Sequence, residues 1–190
     1  MASGLPVAFT LARSRELGWS KDAIYRLVDE GSLDRVGRGV FADLTRIDPA
    51  LAMLAGATAA QPMSTLCLTS ALVFHGLTDA IPIAADIALP RGTRHPAGFD
   101  HVAWHSFDPD TFAIGRDSFD AGGLRLHTYS SERTVIDCYR LAHLEGRDTA
   151  AAALKRWLRR PGHTPSVLLL AAEAFPHART RIRQALEVLL

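Results

Sequence analysis

Gly18-Trp19-Ser20-Lys21-Asp22-Ala23-Ile24-Tyr25-Arg26-Leu27-Val28, running on to Leu33-Asp34-Arg35-Val36-Gly37-Arg38-Gly39-Val40-Phe41, decides how the first part of this chain folds. Ser20 is placed to cap a helix by accepting a backbone N–H, and Ile24, Leu27 and Val28 follow at helical spacing, with Leu33 beyond. Gly31 predicts the helix end. Lys21, Asp22, Tyr25, Arg26 and Asp29 fall three and four apart on the other side, a face of hydrogen-bonding groups rather than packing surface. Leu33 and Val36 before Gly37-Arg38-Gly39, with Val40-Phe41 after it, predict a two-stranded hairpin tipped by a basic residue. Thr10 to Leu17 supplies a supporting helix ahead of the Gly18-Trp19 turn. A helix pair followed by a basic-tipped hairpin is the pattern of a winged helix-turn-helix, in which the second helix enters a DNA major groove and the wing reaches the neighbouring phosphates.

Outward from that unit the texture changes. Asp48-Pro49 is a helix start with an Ala-rich run to about Ala59 behind it, and a second helix is predicted over Thr69 to His75, ending at Gly76. From Ile81 to Tyr129, short apolar or alternating runs (Asp86 to Leu89, His101 to Phe107, Leu124 to Tyr129) are separated by Pro-, Gly- and Asp-rich turns, which predicts a small antiparallel sheet. Helices then follow over Glu132 to Leu144, from an Asp148 cap through Leu158, from Thr164-Pro165, and over Pro176 to Leu190. The fold class is therefore α+β: a winged helix over residues 1–46, then a domain over 47–190 with a small antiparallel sheet and a helical bundle.

The 190 residues suffice for a reader unit joined to a larger body, and 48% apolar with 22% charged residues is a globular composition. The apolar runs are too short or interrupted to span a membrane, no basic-then-apolar start resembles a signal peptide, and Cys67 and Cys138 stand alone among apolar neighbours. A cytoplasmic protein with reduced thiols is expected. The net charge of +1 hides an uneven distribution: seven basic and six acidic residues over 1–46, seven and twelve over 47–149, seven and two over 150–190. Only Lys21 and Lys155 are lysines. Arginine suits bidentate contacts to phosphate or guanine, and an Arg-rich, Lys-poor composition also follows from a GC-rich genome.

Three passages resemble the AbiEi family, the antitoxins of bacterial type IV toxin-antitoxin systems. They are Arg35-Val36-Gly37-Arg38-Gly39-Val40-Phe41; Leu68-Thr69-Ser70-Ala71-Leu72-Val73-Phe74-His75-Gly76-Leu77 with Asp86-Ile87-Ala88-Leu89-Pro90-Arg91-Gly92; and Tyr129-Ser130-Ser131-Glu132-Arg133-Thr134-Val135-Ile136-Asp137-Cys138 with the closing Ala185-Leu186-Glu187-Val188-Leu189-Leu190. The resemblance implies a bacterial autorepressor that binds inverted repeats of double-stranded DNA in its own promoter. It also implies a functional antagonist of a nucleotidyltransferase toxin acting without a stable complex, and a monomer or DNA-assembled dimer. The chain departs from the family at its start: where a further helix is usual, only Met1 to Phe9, with Gly4 and Pro6, precede the supporting helix.

The candidate DNA-binding residues are Ser20, Lys21, Asp22, Tyr25 and Arg26 on the helix, with Arg35 and Arg38 on the wing; Asp22 suits a cytosine amino group. The plainer alternative is a solvated amphipathic helix. A second candidate surface, used in toxin neutralisation according to the resemblance, comprises Arg156, Arg159, Arg160, Arg179, Arg181 and Arg183; its plainer alternative is a solubilising helix face. His101 and His105 fit no zinc pattern, and Glu132-Arg133-Thr134 with Asp137 reads as a junction between sheet and helices held by a local Arg–carboxylate pair. No catalytic residue, metal or cofactor is expected. A solitary winged-helix regulator, and a nuclease or nucleotidyltransferase with a DNA-binding head, are the alternative functions.

Overall fold

The computed structural model describes residues 4–189. The expected helix end at Leu190 and the first three residues lie outside that range. Among the described residues are ten α-helices and two sheets, one of three strands and one of five, so the protein is of mixed α and β structure.

The small sheet is built at the amino terminus. β1 (Ala8–Thr10) pairs antiparallel with β3 (Val40–Ala42), which pairs antiparallel with β2 (Asp34–Gly37), giving the order β1-β3-β2. The segment ahead of the supporting helix thus supplies a strand. Thr10 ends β1 and accepts from the Arg13 N–H at 3.2 Å, capping α1 (Leu11–Glu16). Ser20 caps α2 (Lys21–Asp29) in the same way, accepting from the Ala23 N–H at 3.1 Å. At its far end Gly31 takes φ +71°, and the Ser32 and Leu33 N–H groups return to the Leu27 carbonyl at 2.9 and 3.1 Å. That left-handed residue stops the helix where glycine is conformationally free.

Ile24, Leu27 and Leu33 join Leu5, Phe9 and Phe41 in one buried cluster. Each such side chain contributes roughly 1.5–3 kcal/mol by leaving water. The other face of the small sheet turns to α3 (Ala52–Ala60), reached through the 3-10 turn Pro49–Leu51 that Asp48 caps. Val7, Ala8, Val36, Val40 and Ala42 share a single apolar cluster with Leu54, Leu66, Ile87, Phe99 and Leu126. Gly56 of α3 lies against Val36 with no room for a Cβ. The amino-terminal unit and the body therefore bury a common core.

The large sheet has the order β6-β5-β4-β8-β7, formed by β4 (Thr65–Leu66), β5 (Ala85–Pro90), β6 (Val102–Phe107), β7 (Arg116–Ala121) and β8 (Leu124–Tyr129). It is mixed rather than antiparallel, which corrects the sequence expectation. β5 runs parallel to β6 from Ala85↔Val102 to Pro90↔Phe107, and β4 runs parallel to β8 at Leu66↔Thr128; β4–β5 and β7–β8 are antiparallel. Parallel pairing requires a crossover, and residues 91–101 provide it between β5 and β6 without a helix.

α4 (Leu68–Phe74) and the short α5 (Pro109–Phe112) pack against β5, and α6 (Ser131–Arg140) packs against α4. α6 leads into α7 (Ala142–Glu145), α8 (Arg147–Leu158), α9 (Pro165–Ala171) and α10 (Pro176–Leu189). The single helix expected over Glu132 to Leu144 is interrupted at Leu141, and α8 begins at Arg147, with Gly146 rather than Asp148 in the cap position. Leu72, Val135, Cys138, Leu154, Trp157, Leu168, Ile182 and Leu186 form the core of this bundle. Cys67 and Cys138 are free and buried. No helix among the described residues is long and apolar enough to cross a membrane.

Candidate nucleic-acid interface

With the apolar stripe of α2 buried, its opposite side is solvent-exposed at Lys21, Asp22, Arg26 and Asp29. Tyr25 departs from the expectation of a free polar side chain. Its half-buried ring stands edge-on to Phe41 at 5.7 Å between centroids, and the Lys21 ammonium lies 5.5 Å from the ring centre. Tyr25 thereby anchors the helix to the hairpin and holds Lys21 at the helix start. Ser20, also expected at the interface, has its hydroxyl oxygen committed to the cap.

The hairpin β2–β3 turns at Arg38 and Gly39, with Gly39 at φ +68°. Its register shifts between Arg35 and Gly37, a bulge that adds local twist. Arg35 is exposed and its Nε donates to the Gly37 carbonyl at 3.3 Å, which directs the guanidinium along the hairpin. Arg38 at the tip is also exposed. Sequence reasoning missed what lies behind it: a Cβ placed on Gly37 would meet the Phe99 ring at 2.8 Å, and Gly98 is pressed against Arg38. Phe99, 7% exposed, packs edge-on to Trp104 at 5.6 Å. The crossover between β5 and β6 thus braces the β2–β3 hairpin while Arg38 at its tip stays exposed, a contact between distant residues that local pattern does not carry.

The charge of this surface is balanced rather than strongly basic. Arg13 and Arg15 of α1 are exposed beside Lys21, Arg26, Arg35 and Arg38, but Glu16 binds Arg13 at 2.8 Å and Asp22, Asp29, Glu30 and Asp34 are exposed too. Such a surface gives little long-range attraction and places the weight on individual contacts. Arg15 is a further exposed cation of this amino-terminal unit that the sequence reading did not single out; its place on the exposed side of α1 was available from helical spacing.

The carboxy-terminal arginines do not form one free face. Arg156 is bound to Asp79, whose carboxyl is held below its ordinary value by that hydrogen bond and charge. Arg160 donates to the His75 carbonyl, and Arg181 donates to the Tyr139 carbonyl at 3.0 Å. Arg179 is half-buried, with its Nε out of solvent; Arg159 and Arg183 are exposed. Sequence gave the helix positions but not these partners, which come from α4, the loop after it and α6.

The most heavily buried charge lies at the sheet–helix junction. Arg133, 2% exposed, donates through Nε to both Asp137 oxygens at 3.0 Å, and through Nη1 to the Thr111 and Ile114 carbonyls at 2.8 and 2.6 Å. Its guanidinium carbon sits 4.4 Å from the centre of Tyr129 and 4.3 Å from that of Phe175. Burial pushes the Asp137 carboxyl upward, against the opposing pull of Arg133 and Arg140. This is an architectural tie among α5, α6 and β8, as the junction reading expected. His105 pairs with Asp86 at 3.0 Å, and Asp86 also accepts from the Ser70 N–H at 3.2 Å, so this histidine braces β5, β6 and α4. No group of three or more metal-ligating side chains occurs among the described residues. No protein-family model and no curated protein sequence matches the chain.

Proposed function

We propose that the chain is a winged-helix DNA-binding regulator, in which α2 enters the major groove and the β2–β3 hairpin is the wing. The observation that carries this reading is the separation of roles on α2: Ile24 and Leu27 are buried, while Lys21, Asp22 and Arg26 stand exposed beside the exposed Arg35 and Arg38. Arg26 and Asp22 supply base-edge contacts; Lys21, Arg35 and Arg38 supply phosphate contacts. The resemblance to AbiEi antitoxins supports autorepression at inverted repeats in the promoter and a non-enzymatic antagonism of a nucleotidyltransferase toxin. A balanced charge at the interface favours binding that depends on sequence more than on bulk attraction.

The test is a binding titration of the full chain against the DNA immediately upstream of its own coding sequence, with a shuffled fragment of equal length beside it, across salt concentrations. Binding at least about a thousandfold tighter to the upstream fragment at physiological salt is expected. Equal affinity for both fragments at every salt concentration overturns the reading.

A further inference from the structure

Between α7, the first turns of α8 and the middle of α10 lies an open groove of about 560 Å³. That size falls within the roughly 300–1,000 Å³ of small-molecule sites. Its charge is of one sign: Arg140, Arg147 and Arg181 line it beside His143, and no aspartate or glutamate among the described residues does. Glu145, the nearest acid along α7, is turned to the Thr69 hydroxyl at 2.6 Å.

The cations are poorly compensated. Arg133 and Arg140 share the single carboxylate of Asp137, a surplus of one positive charge beneath the groove. Arg140 Nε lies 3.0 Å from Asp137 Oδ1 but out of line for a hydrogen bond, and its guanidinium packs on the Phe107 and Phe175 rings at 4.5 and 5.6 Å, so it adds charge from behind the groove rather than a contact within it. Arg181 is steadied by its bond to the Tyr139 carbonyl and keeps its remaining N–H groups, while Arg147 is exposed. Tyr139 also lines the groove, its buried hydroxyl without a partner. Burial, with a smaller push from Cys138, drives that phenol up to about 12, so it stays protonated.

The remaining lining is short-chained. Ala142, Ala151 and Ala185, each half-buried, line it with nothing beyond a methyl group, which leaves room for a planar ring to lie against them. Gln184, exposed at the same place, offers both a donor and an acceptor to a ring edge. Along α8 the exposed Lys155 and Arg159 follow Arg147 and Ala151 at helical spacing outside the groove, while Arg156 is engaged with Asp79.

We propose that this groove binds a nucleoside polyphosphate, with its phosphates on Arg147 and Arg181 and its base over the alanine floor beside Gln184. The site is separate from α2 and the wing and does not rest on the DNA-binding reading. Isothermal titration of the full chain with ATP, GTP, inorganic triphosphate and polyglutamate tests it, alongside the variants Arg147→Glu and Ala151→Trp, whose folding is checked by thermal melting. Expected is a micromolar dissociation constant for at least one of the two nucleotides, with inorganic triphosphate at least about tenfold weaker. Arg147→Glu should weaken the nucleotide at least about tenfold, the scale of one lost charge-assisted hydrogen bond. Ala151→Trp should remove the advantage of nucleotide over triphosphate while leaving triphosphate binding in place. Absence of nucleotide binding, equal affinity for inorganic triphosphate, or tighter binding of polyglutamate each overturns the proposal.

Discussion

α2 and α6 are built from the same local instructions. Each is opened by a serine, Ser20 or Ser130, whose hydroxyl accepts the N–H three residues on, from Ala23 at 3.1 Å and Arg133 at 3.2 Å. Each carries an acid in its first turn, an arginine in its last, and a clear apolar stripe. Yet α2 buries Ile24 and Leu27 and leaves its polar side in water, whereas α6 buries every residue from Arg133 to Tyr139. The difference comes from neighbours distant in sequence: α4, α8, α9 and α10 enclose α6, and the Thr111 and Ile114 carbonyls receive hydrogen bonds of its arginine. An amphipathic pattern identifies the face that packs and leaves the fate of the other face open.

The most damaging way to break this comparison is at Arg133. Replacing it with Met leaves Asp137 buried with the misaligned Arg140 as its counter-ion, and a loss of about 3–5 kcal/mol is expected in urea unfolding. Removing all three charges together, as Arg133→Met, Asp137→Leu and Arg140→Met, should cost much less than the single change, because no unpaired charge is left inside. A triple variant as unstable as the single one would mean that aromatic and carbonyl contacts, not the charge balance, hold the junction.

Next in size is the brace behind the β2–β3 hairpin. Phe99→Ala removes a buried ring between the hairpin and the body and should lower stability by about 3 kcal/mol in the same assay. On the proposed DNA-binding role, it should also weaken binding more than it changes base preference, since the hairpin loses its backing rather than its charge.

On α2 the effects move from stability to recognition. Arg26→Ala should leave unfolding within about 0.5 kcal/mol of the parent and change base preference by about 1–3 kcal/mol, read by competition among single-base operator variants. Arg38→Ala should weaken all sequences alike and reduce the salt slope by about 1. Identical DNA binding by both variants and the parent removes α2 and the hairpin from the interface.

The smallest effect sharpens the contrast between first turns. Burial works against the Glu132 carboxylate, but its own backbone N–H and the Ser130 and Ser131 hydroxyls outweigh it and hold the group below its ordinary value. A folded-state value lower than the unfolded one gives stabilisation that is present above the unfolded value, about 4.3, and is lost as pH falls through the folded value. Glu132→Gln should therefore flatten the decline in melting temperature between roughly pH 5 and 3. An unchanged acid limb in the variant would assign that decline to other carboxylates.

Local chemistry made much of this fold legible in advance. The caps at Ser20, Asp48 and Thr164, the stop at Gly31, and the strands over Asp86 to Leu89 and Leu124 to Tyr129 are set by residues within a few positions of one another. Long-range pairing escaped. β4 has two residues, and β7, Arg116 to Ala121, carries three charges on an exposed edge and looks like a turn in isolation. The parallel registers of β5 with β6 and β4 with β8 are choices of the whole sheet, to which alternation in one strand is blind. At the candidate interface the exposure of Lys21, Asp22 and Arg26 followed from helical spacing, while the turn of Tyr25 onto Phe41 and the engagement of Arg156, Arg160 and Arg181 depended on partners up to 85 residues away.

The apolar cluster that runs from Val7 and Val36 through Leu54 to Leu126 crosses residue 46 without a break, and Gly122, in the turn between β7 and β8, is pressed against Val7 and the Arg46 carbonyl just where a hinge would sit. Head and body are thus welded, with no slack between them. A torque applied to the head by a bent or overwound duplex would pass directly into the five-stranded sheet, and cleavage after Arg46 would yield two fragments with torn, sticky seams rather than two working modules.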